Sequence, residues 1–288
     1  MMEIKKILIV GPGQMGSGIA HVMAQTGVEV RLRSYSLDSV KRGMAYIEKN
    51  IDKMVSKGKM TEEQKEEIFS RIDIGPDWGE AECKDVDMAI EAVPEKMDMK
   101  IDYFQKFDKW CPPHAILATN TSSLSVTALG RITSRPDKVI GVHFFSPVHL
   151  MRLVEIVNSM ATSEETNAAV TKLVADAGKS PVKVNDYPGF VGNRIMVPMM
   201  NEAIQTYFEG VADPKTIDDC AVLGFNHPIG PLRLCDAIGN DTILAVMEVL
   251  HRELGDDKYR PSPLLRKMVE AGYLGKKAGR GFYNDYQK

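Results

Sequence analysis

Cysteine is scarce and unpaired in this 288-residue sequence: Cys83, Cys111, Cys220 and Cys235 form no C-x-x-C. Such spacing argues against a disulfide framework or a zinc site and favours reduced thiols in the cytoplasm, with no metal required. Charge of one sign is also lacking. The 36 Lys and Arg are balanced by 39 Asp and Glu to a formal −3, so the positive field of a nucleic-acid binder is missing. No segment approaches the roughly 20 apolar residues of a membrane span. The short apolar run after Lys5 and Lys6 lacks the length and cleavage site of a signal peptide. Repeats and low-complexity tracts are missing too. What is present, 44% hydrophobic and 26% charged residues, is ordinary for a globular chain. Its length exceeds the roughly 100 to 200 residues of one domain, which predicts two.

The first of these reads as α/β. Four consecutive apolar residues within Lys5 to Val10 end abruptly at glycine, a buried strand, and a helix follows from about Met15 to Gln25. Further strand-like runs lie at Val28 to Arg33, Asp87 to Val93, Ala115 to Ala118, Lys138 to Phe144 and Leu153 to Val157. Alternation with helical patterns predicts a largely parallel, doubly wound, Rossmann-like sheet with helices on both faces. Between the second and third of these runs, an insertion near 37–70 carries Lys, Glu and Met at helical spacing and a Thr61/Gln64 capping-box pattern, which predicts a helical hairpin. Turn formers at Asn185 to Gly189 predict a boundary near 186–190, dividing a dinucleotide-binding domain, 1–187, from an all-α domain, 188–288. Its Met- and Ala-rich helices suit a core or a face that pairs two subunits.

Gly11-Pro12-Gly13-Gln14-Met15-Gly16 fits G-x-G-x-x-G between a strand and a helix. Gly11 permits the tight turn, Gly13 admits a pyrophosphate to the backbone and Gly16 lets helix and strand approach, so the whole turn, Gln14 and Met15 included, is expected to bind a dinucleotide. NAD binders usually carry Asp or Glu at the end of the second strand to bond the ribose hydroxyls. Here that position is Ser34, flanked by Arg31, Arg33 and Tyr35. A hydroxyl and arginines where a carboxylate would repel a 2′-phosphate point toward NADP, with Arg33 reaching the phosphate and Tyr35 supporting the adenine. NAD is the nearest alternative, in which both arginines are solvated strand-end charges.

At the end of a later apolar strand stands His143, and twelve residues on Glu155 is enclosed by Val154 and Ile156. A buried carboxylate requires a partner, and His143 is the candidate. Such a pair orients the imidazole and supports its cationic form for proton exchange near neutral pH.

These residues stand among a longer series: Asn120-Thr121-Ser122-Ser123-Leu124, His143-Phe144-Phe145, Leu153-Val154-Glu155, Pro188-Gly189-Phe190 with Asn193-Arg194, Asn226-His227-Pro228-Ile229-Gly230-Pro231, and Gly275-Lys276-Lys277-Ala278-Gly279-Arg280-Gly281-Phe282-Tyr283. In this order and spacing the chain resembles the short-chain L-3-hydroxyacyl-CoA dehydrogenase family, most closely its bacterial 3-hydroxybutyryl-CoA branch, over almost its whole length. The resemblance implies hydride transfer between NADP(H) or NAD(H) and acetoacetyl-CoA or (S)-3-hydroxybutyryl-CoA, with His143 as general acid/base and Glu155 as its orienting partner. It further implies that Ser122 bonds the substrate C3 oxygen and the cofactor side, and that Asn193 positions substrate. Glu95, Lys100 and Lys277 match family cofactor contacts, and the helical insertion matches the region that binds CoA. Taken by their residue types alone, Ser122 caps a helix, Asn193 satisfies backbone groups at the junction, and the three charges lie on the surface.

Lys49, Lys53 and Lys57 fall at i, i+4 spacings in the insertion, where Lys53 and Lys57 are candidates for CoA phosphates and a solvated stripe is an equally good reading. The sequence departs from the family at Ser146, where Asn is usual, and a cofactor contact is expected there through the shorter hydroxyl. The family also implies a homodimer through the C-terminal domain. Competing readings are an NAD-dependent enzyme of broader chain length, an enzyme acting on a free hydroxy acid, and a non-catalytic dinucleotide-binding protein.

Overall fold

The computed structural model describes residues 2–76 and 78–286. It divides into two units, Met1–Asp186 and Tyr187–Lys288.

The first unit is an eight-stranded sheet of β1 (Lys6–Val10), β2 (Glu29–Arg33), β3 (Ile72–Gly75), β4 (Met88–Glu91), β5 (Ile116–Thr119), β6 (Val139–Phe144), β7 (Leu153–Asn158) and β8 (Ser180–Asn185). Their order is β3-β2-β1-β4-β5-β6-β7-β8. Every pair is parallel except β6 with β7. Between them run α1 (Gln14–Ala24), α2 (Leu37–Val55), α3 (Glu62–Ser70), α4 (Glu80–Cys83), α5 (Met97–Trp110), α6 (Val126–Arg131) and α7 (Glu164–Asp176). The near-continuous apolar run of β1 is the signature of a strand covered on both faces, and Ile7, Leu8 and Ile9 are all fully buried.

Two strands escaped the sequence reading. The Ile-Asp-Ile-Gly of β3 is short and half polar, and β8 contains Pro181, which an edge strand tolerates because one side of its ladder is unpaired. The inserted hairpin forms as α2 and α3. At the start of α3 the Thr61 hydroxyl accepts from Gln64 N at 3.2 Å while the Gln64 side chain accepts from Thr61 N at 2.9 Å. Helix α2 ends at Val55, and the following turn places Gly58 at φ +66 with its N–H bonded to the Val55 carbonyl. Lys57 therefore lies in this turn, and the expected three-lysine helical stripe is corrected to Lys49 and Lys53.

The second unit is all-α: α8 (Gly192–Phe208), α9 (Pro214–Asp219), α10 (Pro231–Ile238), α11 (Asn240–Leu254) and α12 (Pro263–Glu270). Its core gathers Val197, Met200 and Ile204 of α8, Leu232 of α10, Met247 and Leu250 of α11, and Leu265 of α12. No helix among the described residues is long and apolar enough to cross a membrane.

In α1, His21 is 1% exposed and its Nε2 has no hydrogen-bond partner. Burial, then the neighbouring His149 and Lys179, push its pKa from 6.5 down to about 4. The folded state thus favours the neutral ring, so this contribution to stability is complete above the ordinary histidine pKa and is lost as pH falls toward 4. Between pH 7.5 and 4.5 the loss should be about 2–3 kcal/mol. Urea unfolding at both pH values should show His21→Gln losing less stability than the unaltered protein, and equal losses would refute the assignment.

Candidate active site

The parallel strands bring their carboxyl ends to one edge of the sheet, and the order β2-β1-β4 marks the crossover where such folds bind ligands. At that edge Gly11 adopts φ +104, and a Cβ there would lie 2.5 Å from the Ala92 carbonyl oxygen. A Cβ on Gly16 would lie 2.0 Å from the Gly11 carbonyl oxygen. Both close approaches demand glycine. Gly13 differs: it is exposed, with open space where its Cβ would point, and it opens α1 without a side-chain cap. Open space over uncapped amides is the cradle a dinucleotide pyrophosphate requires, so these residues fit the cofactor. The Gln14 amide donates to the Ser146 hydroxyl at 3.1 Å, joining the glycine turn to the loop after β6.

Beyond β4 and β5 a charged network fixes the next part of the edge. Glu91 is fully buried; its carboxylate accepts from Lys100 at 2.7 and 2.8 Å and from the Thr119 hydroxyl at 2.8 Å. The same ammonium lies 3.2 Å from Glu95. One Glu95 oxygen in turn accepts from the N–H groups of Ser122 and Ser123 at 3.0 and 3.1 Å, and from the hydroxyls of Thr121 and Ser123. Burial pushes the Glu95 carboxyl up, but Lys100, Thr121 and Ser122 outweigh it and hold the pKa below the usual carboxylate range. The Ser122 hydroxyl approaches the same oxygen at 3.4 Å. Lys100, a surface charge by its residue type alone, is instead 1% exposed and bridges Glu91 to Glu95, a correction that burial in a helix facing the sheet explains.

His143 and Glu155 stand directly opposite each other in the antiparallel β6–β7 ladder. Their side chains are 6% and 2% exposed, and His143 Nδ1 lies 2.7 Å from the Glu155 carboxylate. Because an ionised carboxylate only accepts, Nδ1 carries the proton in this contact. The Phe145 ring packs 4.6 Å from the imidazole, and the Asn120 side chain accepts from Phe144 N at 3.0 Å, tying the turn that bears Ser122 to the strand that bears His143.

At the end of β2 the structure departs from expectation. Arg33 is buried, ion-paired with Asp73, and bonded to the carbonyls of Leu32 and Asp73, so it is held against β3 rather than presented to a ligand. Arg31 is likewise paired with Asp85 and bonded to the Glu82 carbonyl. Sequence reasoning missed β3, and with it the carboxylate that claims Arg33. Ser34 carries no charge, and its hydroxyl accepts from Ser36 N at 3.4 Å. In the second unit, Asn193 lies in the first turn of α8 and Lys277 pairs with Asp241. Lys53 and Lys57 are exposed. Among residues the sequence reading passed over, Glu91 carried a signal: like Glu155, it is a lone carboxylate in an apolar run.

A glycine cradle and a buried His–Glu pair on one doubly wound sheet define the class, a dinucleotide-dependent oxidoreductase. The family description "3-hydroxyacyl-CoA dehydrogenase, NAD binding domain" matches residues 6–187, and its C-terminal domain matches residues 189–285. The chain belongs to the 3-hydroxyacyl-CoA dehydrogenase family. It is 51% identical to a probable 3-hydroxybutyryl-CoA dehydrogenase of Bacillus subtilis (strain 168), over 100% of this chain and 99% of the relative. With the 3-hydroxybutyryl-CoA dehydrogenase of Clostridioides difficile it shares 47% identity, covering 98% of this chain and all of the other. The crystal structure of (S)-3-hydroxybutyryl-CoA dehydrogenase from Ralstonia eutropha superposes with a TM-score of 0.94 at 46% identity, covering 99% and 100% of the two chains.

The Glu91–Lys100 pair yields a stability prediction. Lys100→Met strands a buried carboxylate and should cost about 3–5 kcal/mol, whereas adding Glu91→Gln removes that charge and should restore much of the loss. Chemical denaturation of both variants measures this, and a double variant no more stable than the single one would contradict it.

Proposed function

We propose that the chain is a 3-hydroxybutyryl-CoA dehydrogenase that exchanges hydride between NADP(H) and acetoacetyl-CoA or (S)-3-hydroxybutyryl-CoA. The observation that carries this reading is the buried 2.7 Å contact of His143 with Glu155 on the sheet edge that also holds the glycine cradle. The bacterial relatives named above support the substrate. The nicotinamide supplies or accepts the hydride at substrate C3 when bound. His143 Nε2 delivers the proton to the C3 oxygen in reduction and removes it in oxidation, while Glu155 holds the ring and balances the imidazolium. Ser122 donates to the same oxygen as charge develops there. Its backbone, anchored by Glu95, presets that hydroxyl. Asn193 orients the acyl-CoA, Lys53 and Lys57 meet the CoA phosphates, and Glu95, Ser146 and Lys277 serve the cofactor. Lys100 acts through Glu95.

The preference for NADP(H) rests on Ser34, since no carboxylate ends β2 to repel a 2′-phosphate. Arg33, held by Asp73, takes no part in this reading. We also place the chain in the cytoplasm, in keeping with four free thiols, and as a homodimer through the second unit. That unit exposes Leu223 (83%), and its exposed Phe225 (72%) and Val211 (70%) line an apolar cavity of about 470 Å³.

Initial rates with acetoacetyl-CoA should give kcat/KM at least about tenfold higher for NADPH than for NADH, and Ser34→Asp should reverse the order. Equal or NADH-favouring values keep the enzyme and remove the cofactor preference. His143→Ala should lower kcat about 10²- to 10⁴-fold with cofactor binding retained. Unchanged turnover would remove His143 from the acid/base role, and absence of turnover in the unaltered chain would leave a dinucleotide-binding protein.

A further inference from the structure

Around the loop after β6 stands a group of basic side chains of which only Lys53 has been given a role above. The rings of His21 on α1 and His149 in that loop lie 6.3 Å apart at an interplanar angle of 26°. His21 Nε2 and His149 Nδ1 are both buried without a hydrogen-bond partner. Lys179, just before β8, donates to the carbonyls of Met151 at 2.9 Å and of Val148, so it grips the loop from the other side. Burial, then Lys179 and Lys53 of α2, lower the His149 pKa, and burial lowers that of Lys179. His21 of α1 thus stacks on His149, and the charges of Lys179 and of Lys53 on α2 act on it. Among the described residues none of these four side chains has a carboxylate within ion-pair distance. Elsewhere in the fold buried cations are matched: Lys100 by Glu91 and Arg33 by Asp73.

Two lysines without a paired carboxylate, beside neutral rings whose unpartnered nitrogens become donors on protonation, have the chemistry of an anion site. We propose that His149, His21, Lys179 and Lys53 form a binding site for a phosphoryl group, and that its occupation shifts His149 toward its protonated form, drawing part of a proton per site from solvent at pH 7. The bound dianion supplies the charge that the cluster lacks, and the unpartnered His149 nitrogen then donates to it. The group belongs to coenzyme A or to a free phosphate. In the first case the inference extends the proposed function, adding His149, His21 and Lys179 to the lysine already assigned to CoA; in the second it stands without it.

Isothermal titration calorimetry of the full chain at pH 7, in two buffers of unequal ionisation enthalpy, tests this with coenzyme A and with inorganic sulfate as probes. Sulfate keeps its charge from pH 6 to 8 and reports on the protein alone. Binding of either should take up a fraction of a proton, and His149→Gln should abolish that uptake and weaken affinity at least threefold. Sulfate affinity of the unaltered protein should tighten about fivefold from pH 8 to 6, a readout that needs no variant to fold. Uptake with coenzyme A but not with sulfate assigns the site to the substrate's own phosphoryl groups. Uptake with sulfate in a chain that does not turn over acetoacetyl-CoA keeps the site and discards the proposed function. A pH-independent affinity, or uptake undiminished in His149→Gln, overturns the proposal.

Discussion

A carboxylate buried in the middle of a sheet has to be neutralised from inside the fold, and two such carboxylates organise this molecule's functional edge. Glu91 on β4 and Glu155 on β7 are essentially inaccessible to water. An isolated ion there would cost several kcal/mol, so each fixes a cation or donor at hydrogen-bond distance. Glu91 recruits Lys100 and Thr119, and Lys100 holds Glu95, which gathers the backbone N–H groups of Ser122 and Ser123. Glu155 recruits His143 across the ladder. Desolvation, which penalises both acids, is thereby converted into position: one chain of contacts ends at the serine expected to touch the substrate oxygen, the other at the imidazole expected to move its proton.

Close backbone approach supplies the second constraint. The strand order brings β1 beside β4, and Gly11 packs against Ala92 with no room for a Cβ. Because Gly16 sits on the Gly11 carbonyl, α1 begins hard against the end of β1, and its first amides open toward the exposed Gly13. The Gln14–Ser146 contact then links this cradle to the loop that continues from His143, so the glycine turn and the strand that bears His143 share one edge.

Much of this was legible in the residues themselves. Apolar runs ending in glycine located β1 and its turn, and the carboxylate in Leu153-Val154-Glu155 implied a partner that the register indeed places at His143. The illegible parts have definite physical causes. Strand β3 offers only Ile-Asp-Ile-Gly, too short and too polar for a periodicity signal, yet it brings the Asp73 that captures Arg33. Lys100 looked like a surface charge because helical spacing does not reveal which face meets a buried acid on another strand. Lys57 continued an i, i+4 pattern past the residue where a left-handed glycine turn ends the helix. The His21–His149 pair joins residues 128 positions apart through packing alone, and neither residue belongs to a motif.

The separation of parts along the sheet bears on how cofactor choice and chemistry relate. Between β2, whose end carries Ser34, and β6, which carries His143, lie β1, β4 and β5. A change at the β2 edge leaves the Glu155–His143 contact in place, since Arg33 pairs with Asp73 of β3 and the Ser34 hydroxyl accepts from Ser36 N. Energetic coupling between groups that share no partner at such spacing is small. The end of β2 and the His143–Glu155 pair are therefore separate parts of the sheet. On the proposed reading cofactor choice falls to side chains around β2 and β3, and measured from β2 the buried Glu91 lies two strands away and Glu155 five.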